Sequence, residues 1–251
     1  MDWIWAMMFF IYGLVFGSFY NVVGLRVPEK QSIVRPPSRC PGCGRRLTAA
    51  DLVPFFSFVF LKGKCRGCGL KIHWVYPVME LLTGIAFALA YLRFGFTGEL
   101  LVALLFLSLL VIITVSDIAY MLIPDKILLA LGIPVFLLRI AMPTDPWWDG
   151  PAAALVMPAL LLFIAIVSKG GMGGGDIKLY VVIGLVLGLA DSFLSLFIAA
   201  LVGAVAGFIL LKRQGKGRRT PVPFGPSIAF GATIAYLYGD QIVGWYLNLF
   251  V

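Results

Sequence analysis

The chain has 251 residues, of which 61% are hydrophobic and only 13% are charged, and its formal net charge is +8. Soluble domains carry roughly 25% charged residues, so this composition excludes an ordinary soluble enzyme and indicates a protein that crosses a membrane several times. A basic chain can also bind nucleic acid, but no nucleic-acid motif accompanies the charge. The basic residues flank apolar segments, so membrane lipids, and not nucleic acid, are the expected partner.

Apolar windows of about 20 residues, the length that spans a bilayer as a helix, predict an all-α polytopic fold with about eight transmembrane helices. The first window begins beside Asp2 rather than a Lys or Arg, so it is expected to be a retained helix and not a secretory signal. The sixth window is short and contains Gly184 and Gly188, which suggests a tilted, re-entrant or buried helix. The windows lie at 3–25, 75–93, 99–116, 127–142, 151–168, 177–190, 193–211 and 225–250.

A basic segment separates the first two windows. Its only acidic residues are Glu29 and Asp51, against ten Lys or Arg. The positive-inside rule places this segment, and the second basic cluster at 212–219, in the cytoplasm. With both termini outside, the connections after the third and fifth windows also face the cytoplasm. The expected organisation is a first helix at 1–25, a cytoplasmic segment at 26–74 and a membrane domain at 75–251.

All four cysteines lie in the basic segment, as two C-x-x-C pairs separated by 21 residues. A glycine follows each pair, Gly44 and Gly69, which lets backbone N–H groups point at the sulfur atoms. Four thiolates at this spacing predict a zinc ribbon whose closed ligand shell makes the metal structural rather than catalytic. Disulfides are the competing interpretation, which a reducing cytoplasm disfavours. The predicted ligands are Cys40, Cys43, Cys65 and Cys68.

Two aspartates stand at the ends of long apolar windows. Asp117 follows the run 100–115, and Asp176 closes the glycine-rich turn 170–175. A carboxylate at such a depth costs a few kcal/mol in lipid, which points to a function. Pro124 predicts a helix break after Asp117, and Asp125 then suits the first turn of the next helix, where the helix dipole favours an anion.

The glycine-rich turn permits positive φ angles and close approach of another backbone. It lacks the pattern of a phosphate-binding loop. Two neighbouring carboxylates share a proton, so one can act as general base on a water while the other polarises a carbonyl. Gly173, Gly174 and Gly175 are therefore expected to admit an extended peptide beside the aspartates. In the alternative, both aspartates are helix caps or pair with Lys126 and Lys178.

Three blocks of the sequence resemble the bacterial type IV prepilin leader peptidases, which are integral-membrane aspartic proteases. The blocks are 13–28, the cysteine segment running into 76–84, and the two aspartate motifs, and together they extend over nearly the whole chain. In that family the catalytic aspartates open a D-x6-P-D pattern and close a G-x-G-D motif, which match Asp117 and Asp176 here. The resemblance names the pair that the chemistry suggested.

The resemblance implies that the chain cleaves the leader of prepilins and pseudopilins at the cytoplasmic face of the bacterial inner membrane. It also implies N-methylation of the new terminus with S-adenosylmethionine, an activity associated with the N-terminal half. That half shows no glycine-rich nucleotide fold, so no donor site is predicted beyond the single candidate Glu80. Asp125 and Lys178 are expected to support the aspartate site.

Two other functions fit parts of the sequence. A membrane transporter would use the aspartates to bind protons or cations and the zinc site for regulation. A scaffold would be held together by its zinc segment. The position of Asp176 beside a loop rather than mid-span favours the peptidase over an ion path. The residues define no oligomeric state and no choice among pili, secretion and DNA uptake.

Overall fold

The computed structural model describes residues 2–168, 171–214 and 222–249. These residues form eight α-helices and one 3₁₀ turn, Ala49–Asp51. Apart from two isolated β-bridges they contain no strand, so the all-α prediction is confirmed for the described chain. The helices are α1 Asp2–Arg26, α2 Phe56–Phe60, α3 Val75–Phe94, α4 Gly98–Tyr120, α5 Asp125–Ala141, α6 Asp149–Val167, α7 Gly174–Gln214 and α8 Gly225–Leu247.

Five helices of the described chain are long and apolar enough to cross a bilayer: α1, α3, α4, α6 and the Gly174–Ile209 part of α7. Helix α5 has only 17 residues, fewer than the roughly 20 that span a bilayer without local thinning. The count of eight spans therefore stays a prediction. Residues 215–219 of the second basic cluster, and Gly170 of the glycine-rich turn, lie outside the described residues.

Helix α7 covers the predicted sixth and seventh windows and is interrupted at Gly188, where φ is 74° and ψ is −176°. An L-residue with a side chain is strained at this positive φ. The interruption leaves the N–H of Leu189 without its helical partner, and Asp149 of α6 accepts that hydrogen bond at 3.1 Å. The kink divides α7 into two helical stretches, which correspond to the predicted sixth and seventh windows.

The chain divides into two compact units, Met1–Val115 and Ser116–Val251. In the N-terminal unit, α1 packs antiparallel against α3. A Cβ at Gly13 would lie 2.6 Å from the carbonyl oxygen of Thr83, and one at Gly17 would lie 2.8 Å from Cα of Glu80. This G-x-x-x-G face lets the two backbones approach closely, as small residues do between membrane helices.

In the C-terminal unit, α7 is the central helix and contacts α5, α6 and α8. Its face contains Leu179, Tyr180 and Ile183, whose side chains are fully buried. Arg139 of α5 donates to the carbonyl oxygen of Val186 at 2.9 Å, which ties α5 to α7. This packing holds the first turn of α7, which contains Asp176, in a defined position.

Candidate functional site

Asp117 lies in the last turn of α4, inside the helix rather than after its end. Its side chain is only 7% exposed, and its Oδ2 accepts a hydrogen bond of 2.7 Å from the backbone N–H of Gly225, the first residue of α8. The unpaired N–H groups and the dipole at a helix N-terminus stabilise negative charge. One carboxylate oxygen of Asp117 is therefore held in place by α8.

Asp176 is the third residue of α7 and is 8% exposed. Its backbone N–H donates to the carbonyl oxygen of Gly173 at 3.1 Å, and its carboxylate accepts from the backbone N–H of Gly173. This reciprocal pair is the backbone arrangement of a helix N-terminus with an acidic third residue. Asp176 thus has one oxygen turned back over Gly173.

The loop after α4 brings the two aspartates to the same part of the C-terminal unit. Met121, with φ of 53°, donates to the carbonyl oxygen of Asp117 and reverses the chain. The loop is held further by Ser116, whose hydroxyl donates to the carbonyl oxygen of Leu122 at 2.6 Å.

The end of this loop contacts the start of α7. Ile123 is buried against Gly175, where a Cβ would lie 2.8 Å from Cβ of Ile123. Because Gly175 precedes Asp176, this contact places Asp176 near Asp117, and the two carboxylates interact electrostatically.

The three predicted loop glycines differ in what surrounds them. A Cβ at Gly173 would lie 3.1 Å from Oδ2 of Asp176, and the backbone of Gly175 contacts Ile123, whereas no described residue lies within 4 Å of a Cβ at Gly174. Gly173 and Gly175 are therefore constrained by packing at the aspartates. Gly174, in contrast, has open space beside it in the part of the chain that the structure describes.

The two predicted supporting residues pair with each other. Lys178 donates to both carboxylate oxygens of Asp125, at 2.8 and 2.9 Å. Asp125 is the first residue of α5, as Pro124 predicted, and both side chains are more than half exposed. An exposed ion pair of this kind contributes little to stability. Lys178 therefore joins α7 to α5 and is not the partner of Asp117 or Asp176 that the alternative proposed.

Gly225 also belongs to this site, although it was not among the residues predicted from the sequence. A Cβ at this position would lie 2.8 Å from Oδ2 and 3.0 Å from Cγ of Asp117. The pair Gly225-Pro226 at the start of an apolar window could have indicated a helix N-terminus that binds an anion. Proline favours the first turn of a helix and leaves the preceding N–H groups free for an anion.

The cysteine segment contains two equivalent turns. In the first turn, the N–H of Cys40 donates to the carbonyl oxygen five residues later, and the carbonyl oxygen of Cys40 accepts from the N–H of Gly44. Cys65 and Gly69 make the same two hydrogen bonds in the second turn. Both glycines have positive φ, 68° and 71°, which glycine adopts without strain. The N–H groups of Cys68 and Gly67 donate to the Cys65 sulfur and lower the pKa of this thiol to about 6. The second turn therefore favours a thiolate at Cys65.

The four cysteines fit a structural zinc ion. All four Sγ atoms lie within 4.8 Å of one another, and Cys40 Sγ and Cys68 Sγ are 3.7 Å apart. Tetrahedral zinc with Zn–S bonds of about 2.3 Å requires sulfur atoms roughly 3.8 Å apart. The four thiols are free, and 3.7 Å is too long for a disulfide bond of about 2.05 Å. The geometry thus suits a metal and not the competing disulfides.

Asp51 links the two cysteine turns. It contacts Arg45, which follows the first C-x-x-C pair, and Arg66, which lies inside the second. Hydrogen bonds from the backbone N–H and hydroxyl of Thr48, together with the Arg45 charge, hold the pKa of Asp51 below its usual value. The carboxylate therefore stays charged at neutral pH and joins the halves of the segment independently of any metal.

Glu80, the candidate for methyl transfer, lies on α3 and is 9% exposed. Its Oε2 accepts a hydrogen bond of 2.7 Å from the backbone N–H of Phe55 in the cysteine segment. Glu80 therefore belongs to the N-terminal unit, whereas the two aspartates belong to the C-terminal unit. The N-terminal unit thus contains the four cysteines and Glu80, which are joined through Phe55, and the C-terminal unit contains the two aspartates.

Comparison with known proteins assigns the chain to a family. It is 45% identical over 240 residues to a prepilin leader peptidase/N-methyltransferase of Bacillus subtilis, covering 96% of this chain and 97% of that protein. The chain belongs to the type IV leader peptidase family. Proteins of the same description in Aeromonas salmonicida and Xanthomonas campestris are 33% and 34% identical, over 99% and 94% of this chain and 96% and 92% of theirs. No solved structure matches.

Two family models match separate parts of this leader peptidase family member. The bacterial peptidase A24 N-terminal domain matches residues 11–94, which contain the four cysteines and Glu80. The type IV leader peptidase family model matches residues 104–208, which contain Asp117 and Asp176. Gly225 lies beyond both matches.

Proposed function

We propose that this chain removes the leader peptide of prepilins and pseudopilins with Asp117 and Asp176 as catalytic residues, and that it N-methylates the new terminus. The relatives described above are named prepilin leader peptidase/N-methyltransferase. The observation that carries the proposal is the pair of buried carboxylates at adjacent helix ends, each with one oxygen fixed by a backbone N–H. An aspartic protease needs two such groups in one site.

The proposed chemistry uses the second oxygen of each carboxylate. The ionised aspartate takes a proton from a water molecule, whose oxygen attacks the carbonyl carbon of the scissile peptide bond. The protonated aspartate donates a hydrogen bond to the carbonyl oxygen and stabilises the charge that develops there. The carbon–nitrogen bond then breaks, and the leaving amine takes a proton from the site.

The position of the site suits a substrate that is itself anchored in the membrane. Asp117 is three residues from the end of α4, and Asp176 is two residues from the start of α7. At 1.5 Å per residue, both lie within about 5 Å of the helix ends. We propose that this end faces the cytoplasm, as the basic residues indicate, and that the extended cleavage segment enters over Gly174.

The cysteine segment is proposed to hold structural zinc, and the methyl donor is proposed to be S-adenosylmethionine. Zinc bound by four thiolates has no open coordination position, so it supplies folding free energy and no catalysis. The segment 27–74 contains only short helical pieces, which is the situation in which a metal substitutes for a core.

The decisive experiment is intact-mass analysis of a prepilin co-expressed with this chain in a host that lacks its own leader peptidase. We expect the prepilin to lose the mass of its leader and to gain the mass of one methylene group. An unchanged prepilin mass, together with ion flux in liposomes containing the purified chain, would instead support the transporter. Leader loss without the methylene gain would retain the peptidase and remove the methyltransferase from the proposal.

Replacing Cys40 and Cys65 together by serine is expected to release the metal while leaving leader cleavage largely intact. The reason is that the cysteines lie in the N-terminal unit and both aspartates lie in the C-terminal unit. Metal content by mass spectrometry and protease resistance of the segment should fall, and methylation should fall with them. Ser38→Ala, the loss of a partly exposed hydroxyl in the same segment, is the control. Complete loss of cleavage in the double variant would favour the scaffold function.

A further inference from the structure

A second polar cluster lies between α1 and α3, in the N-terminal unit. It consists of Ser18 and Asn21 on α1, Glu80 on α3 and the backbone N–H of Phe55. Polar side chains inside membrane helices are costly, so a group of them in one place points to a function. None of the steps proposed for leader cleavage uses these residues.

The register of the two helices brings the side chains together. Gly17 contacts Glu80, and one turn further along α1 the amide Nδ2 of Asn21 donates to the carbonyl oxygen of Tyr76 at 3.2 Å. Tyr76 and Glu80 are four residues apart on α3 and so share a face. Ser18, three residues before Asn21, donates its hydroxyl to the Glu80 carboxylate. Asn21 and Glu80 therefore point into the same gap between the helices.

The cluster has more acceptors than donors. Asn21 is 3% exposed, and its Oδ1 has no hydrogen-bond donor among the described residues. A buried carbonyl oxygen without a donor costs about 1–3 kcal/mol. No basic side chain of the described chain forms an ion pair with Glu80. An amide oxygen and a carboxylate that face one gap suit a ligand that brings both N–H donors and positive charge.

The backbone at Phe55 is also unusual. Its φ is 59° and its ψ is −52°, a conformation that is strained for a bulky side chain, and its N–H donates to Glu80. Such strain persists only where the surroundings hold it, and it is concentrated at functional sites. Phe55 thereby connects the cysteine segment to the cluster.

We propose that Asn21 and Glu80 bind a primary ammonium group in the methyl-transfer half of the function proposed above, on which this inference rests. Two molecules in that reaction carry such a group: the new N-terminus of the cleaved pilin and the amino-acid part of the methyl donor. Both offer N–H donors to Asn21 Oδ1 and positive charge to Glu80, since a charge-assisted hydrogen bond is the strongest that a buried carboxylate forms with an amine.

For the pilin terminus, Glu80 acts as the proton acceptor. The ammonium group gives one proton to the Glu80 carboxylate, and the neutral amine attacks the methyl carbon of the sulfonium donor. The carbon–sulfur bond breaks and its electron pair stays on sulfur, which becomes a neutral thioether. The product is a methylammonium terminus, and Glu80 returns its proton to solvent.

The depth of the cluster agrees with a terminus that emerges from the membrane. Asn21 is five residues from the end of α1, which at 1.5 Å per residue is about 8 Å. Glu80 lies in the second turn of α3. The ligand would therefore meet the cluster just inside the helix ends that join the cysteine segment.

The test uses the purified full-length chain with a prepilin peptide and S-adenosylmethionine, and it measures cleavage and methylation of the same peptide by mass. We expect Glu80→Gln and Asn21→Leu each to lower methylation about 10- to 100-fold, the effect of losing a charged or buried hydrogen bond. Cleavage should be unchanged. Glu29→Gln, the same carboxyl-to-amide change at an exposed position of this unit, should alter neither activity.

Titration of each substrate identifies which ammonium group is bound. If Glu80→Gln raises the KM for a pre-cleaved pilin peptide and leaves the KM for S-adenosylmethionine unchanged, the site binds the pilin terminus. If it raises only the KM for S-adenosylmethionine, the site binds the donor.

Normal methylation in both variants overturns the inference. Parallel loss of both activities in Glu80→Gln, Asn21→Leu and Glu80→Asp also overturns it, because the cluster is then only structural. A wild-type chain that cleaves but never methylates would contradict the proposed function itself.

Discussion

Replacement of Asp117 or Asp176 by asparagine is expected to lower the rate of leader cleavage by at least about 10³-fold, or about 4 kcal/mol of transition-state stabilisation. Asparagine keeps the size and the hydrogen bond that each aspartate accepts from Gly225 or Gly173. It cannot take a proton from water or donate one as a carboxylic acid does. The loss should therefore fall on kcat, with little change in the KM for prepilin.

The double variant separates a dyad from two independent groups. Residues that act as one unit give non-additive losses, so the double replacement should be no slower than the more damaged single variant. Asp145→Asn, an exposed aspartate in the loop between α5 and α6, is the matched control and should cleave at the normal rate. If either single variant processes prepilin as fast as the original chain, the assignment of that aspartate to catalysis is wrong.

Replacement of Gly225 by alanine is expected to lower leader cleavage about 100-fold without changing any titratable group. The added Cβ would lie 2.8 Å from Oδ2 and 3.0 Å from Cγ and Cβ of Asp117. Asp117 is buried, so the carboxylate cannot simply rotate into solvent. It must shift away from the Gly225 N–H, and misplacement of a catalytic group by about 1 Å can cost about 10²-fold in rate.

Gly244→Ala tests whether the effect of Gly225→Ala is local. Gly244 lies on the same helix, α8, and nothing in the described structure lies within 4 Å of a Cβ there. This variant should gain slightly in stability, because alanine favours a helix over glycine, and should cleave normally. Thermal unfolding of both variants in detergent shows whether Gly225→Ala remains folded. Normal cleavage by a folded Gly225→Ala variant would contradict the proposed role of the α8 N-terminus.

The sequence was most informative where function depends on residue type and short spacing. Cys40, Cys43, Cys65 and Cys68 have a metal-binding spacing, and the structure brings their four sulfur atoms together. Pro124 correctly placed Asp125 in the first turn of α5. These features are local, because a proline, a glycine or a C-x-x-C pair constrains the backbone within a few residues.

The break between two helices was predicted from hydropathy, but the contact that stabilises it was not. The windows 177–190 and 193–211 predicted two helices, and the structure has two helical stretches that meet at a kink at Gly188, where Asp149 of α6 accepts the N–H of Leu189. A hydropathy window contains no information about a partner 40 residues away. For the same reason it did not show that Lys178 pairs with Asp125.

By itself, the sequence determined the all-helical class, and it singled out the four cysteines as candidate metal ligands and the two aspartates as candidate catalytic residues, because each follows from composition, from short spacing or from the cost of charge in lipid. Only the tertiary structure decided what surrounds them: Gly225 holding Asp117, Gly175 packed on Ile123, and Asn21 facing the gap beside Glu80. These contacts join residues far apart in the chain, and the packing of whole helices sets them.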